Sequence, residues 1–114
     1  MSLSVSPNLS ALQALGKKQS VIANNIANGN SKEFKKSRVS LEDGENGTVS
    51  ARLQEINTAG VKINQPDGTL EELSNVDLGL ELAEMIPTQR GYEANLKAVK
   101  SQDEMEASVI DLMG

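Results

Sequence analysis

The sequence predicts a mainly α protein with a small β insert. Its N- and C-terminal helices pair as a coiled coil, with a short antiparallel β unit between them. Three patterns predict this. Leu12, Leu15, Ile22 and Ile26 recur at alternating three- and four-residue steps, with Gln19 in the one polar slot, and so do Leu78, Leu82, Met85, Gln89, Tyr92, Leu96 and Val99. Between them the apolar period falls to two. The chain divides accordingly into 1–36, an N-terminal helix and following turn; 37–73, a β-rich middle; and 74–114, a long C-terminal helix.

The first helix is expected from about Pro7 to Asn28. Ser6 can cap free N–H groups, and proline fits the first helical position because its missing donor has no partner there anyway. Asn28-Gly29 is a natural stop, since both residues tolerate the left-handed turn that follows a helix. Asn24, Asn25 and Asn28 are unusual inside a helix, because a short amide competes for the backbone's own hydrogen bonds. On a helical wheel Ile22 and Ile26 lie on the seam, Asn25 borders it, and Asn24 and Asn28 stack on the far side. Such an amide face suits uncharged hydrogen bonding between crowded helices; the plainer alternative is solvated asparagine near a fraying end.

In the middle, Val39 and Leu41, then Val49, Ala51 and Leu53, then Val61 and Ile63 alternate with polar residues. Asp43-Gly44, Asn46-Gly47, Ala59-Gly60 and Asp67-Gly68 punctuate them as turns. Three short antiparallel strands are expected, too few to stand without a helix or a neighbour to lean on. Lys32, Lys35, Lys36 and Arg38 read as a solvated basic loop.

The second helix has a marked start. Ser74 and Asp77 have capping-box spacing, and Leu73 and Leu78 are placed for a hydrophobic staple. After Val99 the stripe drifts to Met105, Val109 and Leu112, which implies a change of winding or of contact surface. Pro87 removes an N–H and should bend or loosen the turn at Ala83, and Gly91 softens the same region.

Composition narrows function. Hydrophobic residues make up 38% of 114, and Phe34 and Tyr92 are the only aromatics. Aromatics supply much of a core's buried area, so the isolated chain should be marginal and complete its packing against other chains. A net charge of −5 with no dominant basic stripe argues against nucleic acid. The absence of cysteine and histidine removes thiolate chemistry, the usual general base and the commonest transition-metal ligand. No apolar run is long enough to span a bilayer, and no charged-then-apolar leader is present. No catalytic residues, cofactor, metal or small-molecule substrate are expected. Asp103, Glu104 and Glu106 lack the spacing of a calcium loop and read as a solvated face.

Ala23-Asn24-Asn25-Ile26-Ala27-Asn28, followed by Ser31 and Phe34-Lys35, resembles the N-terminal signature of bacterial flagellar rod and hook proteins. Ser74-Asn75-Val76-Asp77-Leu78, then Gln89-Arg90-Gly91-Tyr92-Glu93-Ala94-Asn95 and Asp103-Glu104-Met105, resembles the C-terminal helix signature of that family. The two motifs lie in the expected order and cover roughly half the chain.

The resemblance implies a self-assembling axial subunit of the basal-body rod. Its terminal helices would pair and pack side by side into the inner tube. Partners would be copies of itself, other rod and hook proteins, and the flagellar type III export apparatus, which needs no cleaved leader. The short middle points to a proximal-rod subunit, because hook and distal-rod members carry larger inserted domains. Three departures stand out: Glu33 replaces the usual glycine before the aromatic, Gly91 replaces alanine, and Pro87 interrupts the helix. Straight packing and the usual turn are therefore not expected there.

Among individual residues, Tyr92 is expected in the core and Phe34 as the anchor of the β unit. Arg90 and Glu93 either bridge neighbouring subunits or pair within the helix, as Glu93 and Lys97 do by spacing. Asn95 belongs with the assembly set through the motif that carries it. The competing function is a small helical adaptor or export-chaperone-like module that binds one partner through the C-terminal stripe.

Overall fold

A computed structural model describes residues 6–113. In chain order they form helix α1 (Ser6–Ala27), strands β1 (Ser37–Asp43) and β2 (Val49–Glu55), strands β3 (Lys62–Asn64) and β4 (Leu70–Glu72), and helix α2 (Leu78–Met113). Two long helices with small β hairpins between them are the expected fold class. The expected cap by the Ser6 hydroxyl lies outside the described atoms.

Helix α1 ends where the amides predict. Asn28 N–H donates to Asn24 O at 3.1 Å, and Gly29 N–H to Ile26 O at 3.1 Å. Helix α2 begins three residues later than the predicted cap. Asp77, not Ser74, is the N-cap: its Oδ1 accepts the Leu80 N–H at 3.3 Å and its carbonyl accepts Glu81 N–H at 3.0 Å. Ser74 instead accepts the Val76 N–H at 3.1 Å, closing a local turn. Leu78 is exposed, so no staple forms with Leu73. The helix runs uninterrupted through Pro87. Ala83, which loses its helical donor to that proline, is exposed, so water can satisfy its carbonyl.

The middle departs from a single three-stranded unit. Strands β1 and β2 form one antiparallel hairpin, with Val39 opposite Leu53 and Leu41 opposite Ala51. Strands β3 and β4 form a second, separate hairpin with Ile63 opposite Glu71. The strand at Leu70–Glu72 escapes hydrophobic reading because two of its three residues are glutamates. The sheet splits because the segment after β2 is tied elsewhere: Ile56 N–H donates to Lys36 O at 2.9 Å, and the Asn75 side chain donates to Ile56 O and Thr58 O at 2.8 and 2.9 Å.

Helix α1 is the central element. The first hairpin packs along one side of it and α2 along another. Ser10 Oγ accepts the Val49 N–H at 2.9 Å near one end of α1, and Asn25 clasps Ser37 near the other. The buried apolar core is correspondingly small: Ala14, Ile22 and Val39 among the described residues. The molecule is long, 78 × 23 × 16 Å, and its radius of gyration of 20.1 Å far exceeds the ~13 Å of a compact domain this size. Its accessible surface of 7866 Å² compares with about 6,100 Å² for a compact monomer of 12.2 kDa, an excess of roughly 1,800 Å².

Candidate functional site

The two helices run antiparallel. Asn25 meets Glu81 near one end, Leu15 faces Gly91, the Tyr92 ring lies over Gly16, and Asn8 Nδ2 donates to Gln102 Oε1 at 3.1 Å near the other. The two glycines are reciprocal seats. A methyl group on Gly16 would lie 3.6 Å from Tyr92 Cε2, and one on Gly91 would lie 3.5 Å from Leu15 Cδ1. Gly91 therefore keeps room for the single methyl group of an alanine. A longer side chain would push Leu15 away.

Asn25 is the hub of the helix pair and is 2% exposed. Its amide nitrogen donates to Glu81 Oε1 at 2.7 Å and to Ser37 O at 2.8 Å, and its oxygen accepts the Ser37 N–H at 3.1 Å. One side chain thus ties α1, β1 and α2 together. Glu81 is equally buried, and the amide is what its carboxylate leans on. A buried polar group without such partners costs about 1–3 kcal/mol. Asn25 is thus a structural lock, and the solvated alternative fails for it. Asn24 and Asn28 do stack on the outer side: Asn28 Nδ2 donates to Asn24 O at 2.9 Å and Asn24 Oδ1 at 3.2 Å, and Ser31 Oγ donates to Asn28 Oδ1 at 2.9 Å.

Leu12, Leu15 and Ile26 are half-buried and Ile22 is buried, so the predicted seam of α1 faces inward. Gln19 takes its polar slot with Oε1 buried and unpaired among the described residues. The seam of α2 is displaced. Met85 and Val99 are half-buried, but Leu78, Leu82, Gln89 and Leu96 are exposed, and Tyr92 is 38% exposed at the margin. Glu81, Thr88, Gly91, Asn95 and Gln102 are buried or half-buried instead. These polar residues tolerate that position because they are satisfied locally. Thr88 Oγ1 donates to Glu84 O at 2.7 Å, and Asn95 Nδ2 donates to Gly91 O at 2.9 Å. The result is an apolar stripe on α2 that α1 does not cover. Leu78, Leu82, Ile86 and Leu96 stand 53, 45, 55 and 50% exposed.

The basic cluster is not a free solvated loop. Lys32 pairs with Glu71 at 2.9 Å, Arg38 with Glu84 at 2.8 Å, and Lys35 with Glu72. Hydrogen bonds from Lys35 and from the Gly60 N–H hold the Glu72 carboxyl below its ordinary range. The Lys36 backbone N–H donates to Asn75 Oδ1 at 2.7 Å, and the Phe34 carbonyl accepts the Asn75 N–H at 3.2 Å. Phe34 is half-buried in this junction. Glu33 holds φ at 59°, so the left-handed turn glycine would favour is kept by a residue that must strain to adopt it. Arg90 and Glu93 are exposed and make no ion pair among the described residues, and Glu93 does not meet Lys97. The important residues that apolar spacing missed are Glu81, Thr88 and Asn75. Asn75 was legible, since it lies within the second motif. Among the described residues, no helix is long and apolar enough to cross a membrane.

Comparison with known proteins agrees with this geometry at both ends. A model of "Flagella basal body rod protein" matches residues 8–35, covering α1 and the Phe34 turn. A model of "Flagellar basal body rod FlgEFG protein C-terminal" matches residues 67–112, covering β4 and α2. The flagellar hook protein FlgE of Escherichia coli (strain K12) is 44% identical over 41 residues, 36% of this chain and 10% of that protein. That of Treponema pallidum (strain Nichols) is 39% identical over 74 residues, 60% of this chain and 16% of that protein. The chain thus spans only about a tenth to a sixth of these relatives' length. With paired terminal helices and both terminal signatures in order, the chain belongs to the flagellar rod and hook axial protein family, whose members are structural parts of the flagellum.

Proposed function

We propose that the chain is a self-assembling subunit of the flagellar basal-body rod, packed side by side with copies of itself and with other rod and hook proteins. One observation carries this: α2 keeps a continuous apolar stripe in water after its partner helix is already in place. The excess surface of roughly 1,800 Å² on one chain is about twice the ~800 Å² that each partner buries in a standard specific interface, which leaves area for more than one neighbour. A monomer rarely exposes a run of large apolar side chains such as Leu78, Leu82, Ile86 and Leu96 along one helix without a partner for it. The rod is favoured over the hook by the middle segment, which holds two small hairpins where the hook and distal rod are expected to carry a larger inserted domain. Export would use the flagellar apparatus, and the site of action would be the rod that crosses the periplasm. Arg90 and Glu93, exposed beside the stripe, are placed to bridge neighbours.

Light scattering across a dilution series, alone and with rod partners, tests the reading. Large assemblies that grow with concentration, with helicity rising alongside, are expected. A soluble one-to-one complex and no polymer would favour the adaptor reading instead. In cells, deletion of the gene should remove rods from purified basal bodies viewed by electron microscopy. Intact rods and normal swimming would overturn the assignment.

A further inference from the structure

We infer that the projecting end of α2, residues 103–113, docks head-to-tail into the groove between α1 and the first hairpin of a second copy. This rests on the self-assembly reading and names a second contact, beside the one made by the Leu78–Leu96 stripe, that assembly uses. Asn8 meets Gln102 and α1 begins two residues earlier at Ser6, so α2 continues past the described part of α1 by roughly 13 Å at 1.5 Å per residue. Along it Met105, Val109 and Ile110 stand 67, 53 and 68% exposed. Every charged side chain there is acidic: Asp103, Glu104, Glu106 and Asp111.

That charge decides the mode of pairing. Two projecting ends laid against each other would bring like charges together, and each such close pair costs about 1 kcal/mol or more near a surface. A surface that offers a positive charge beside apolar side chains is needed instead, and the same chain carries one in a mixed polar and apolar groove. A groove of about 230 Å³ opens between α1 and the first hairpin, lined by Lys17, Ser20, Val21, Asn24, Asn25, Ser37 and Leu53. Val21 and the exposed Leu53 supply the apolar side chains. Lys17 supplies an exposed ammonium with no ion pair among the described residues, and Asn24 an amide rim. A contact between two different surfaces of one chain forms a ring where the rotation between copies closes and an open helical array where it does not, and the self-assembly reading requires the second.

Zero-length carbodiimide cross-linking of mixed ¹⁴N- and ¹⁵N-labelled chains reads this contact directly. Within one chain Lys17 lies roughly 16 Å along the axis from Glu104 and about 27 Å from Asp111, beyond direct reach. The expected result is mixed-isotope links from Lys17 to Glu104 or Asp111 in the assembled fraction. Lys17→Glu should abolish them and raise the concentration needed for assembly at least tenfold, with helicity unchanged because the residue is exposed. Mixing Lys17→Glu chains with chains carrying Glu104→Lys and Asp111→Lys should restore assembly. Assemblies that persist with links elsewhere, or with links confined to single chains, overturn the docking contact and leave the self-assembly reading standing. Failure to assemble at any concentration overturns both.

Discussion

Replacing Asn25 with alanine should unfasten the helix pair. The substitution deletes three hydrogen bonds: two between the amide and the Ser37 backbone, and one to the Glu81 carboxylate. The neutral pair contribute about 1 kcal/mol each and the charged one about 1.5–3 kcal/mol, so the loss is roughly 4 kcal/mol. That is a large share of the ~5–15 kcal/mol that stabilises an ordinary domain, and this one has a small core. Urea denaturation followed by far-ultraviolet circular dichroism, at a concentration too low for assembly, measures it. At a slope of about 1.5 kcal/mol per molar, the midpoint should fall by roughly 2–3 M. A second variant isolates the cause. Glu81→Leu removes the carboxylate that needs the amide, so the double variant should be about 1–2 kcal/mol less damaged than the two single losses added together. A loss below about 1 kcal/mol in Asn25→Ala, or strict additivity in the double, would refute the lock.

Other outcomes follow from the same geometry. Leu82→Asp combined with Leu96→Asp should cost the monomer about 1 kcal/mol, mostly helix propensity, because both side chains are about half exposed, yet abolish assembly by scattering and motility in cells. Gln19→Leu should raise stability by about 1 kcal/mol, a rise in the urea midpoint of roughly 0.7 M, since it replaces a buried oxygen that has no partner among the described residues. Gly60→Ala should cost about 2–3 kcal/mol by the same measurement, because the added methyl would sit 1.9 Å from the Leu73 carbonyl oxygen. Glu72 contributes its ties to Lys35 and Gly60 in full above the ordinary value of 4.5, and loses them as the pH falls through its lower folded value. Gly60 amide exchange, corrected for its intrinsic pH dependence, should therefore lose protection on acidification below that range, and Glu72→Gln should show the loss at neutral pH.

The features legible from sequence were those governed by local chemistry. The amides of Asn24 and Asn28 end α1 where they stand, and Asn46 and Gly47, both with positive φ, turn the first hairpin. The seam of α2 was misplaced for a physical reason. Apolar spacing finds the face that most needs burial, and here that face remains uncovered within the chain. The face α1 occupies is built from Glu81, Thr88, Gly91 and Asn95, which qualify by size and local hydrogen bonding and carry no hydrophobic signal. Asn25 was half legible: its place beside the seam follows from the helical wheel, but its partners Ser37 and Glu81 come from distant parts of the chain. The fourth strand, rich in glutamate, is held by pairing with β3 and by Lys32 and Lys35, which no period could reveal.

The paired seats at Gly16 and Gly91 bear on mechanics. Sliding one helix past the other by a single residue would move it about 1.5 Å and turn it by about 100°, taking both Tyr92 and Leu15 off their glycines and into bulkier side chains. Two interlocked teeth of this kind resist shear in both axial directions. Thrust or twist delivered to either helix is then borne by the pair as one stiff strut.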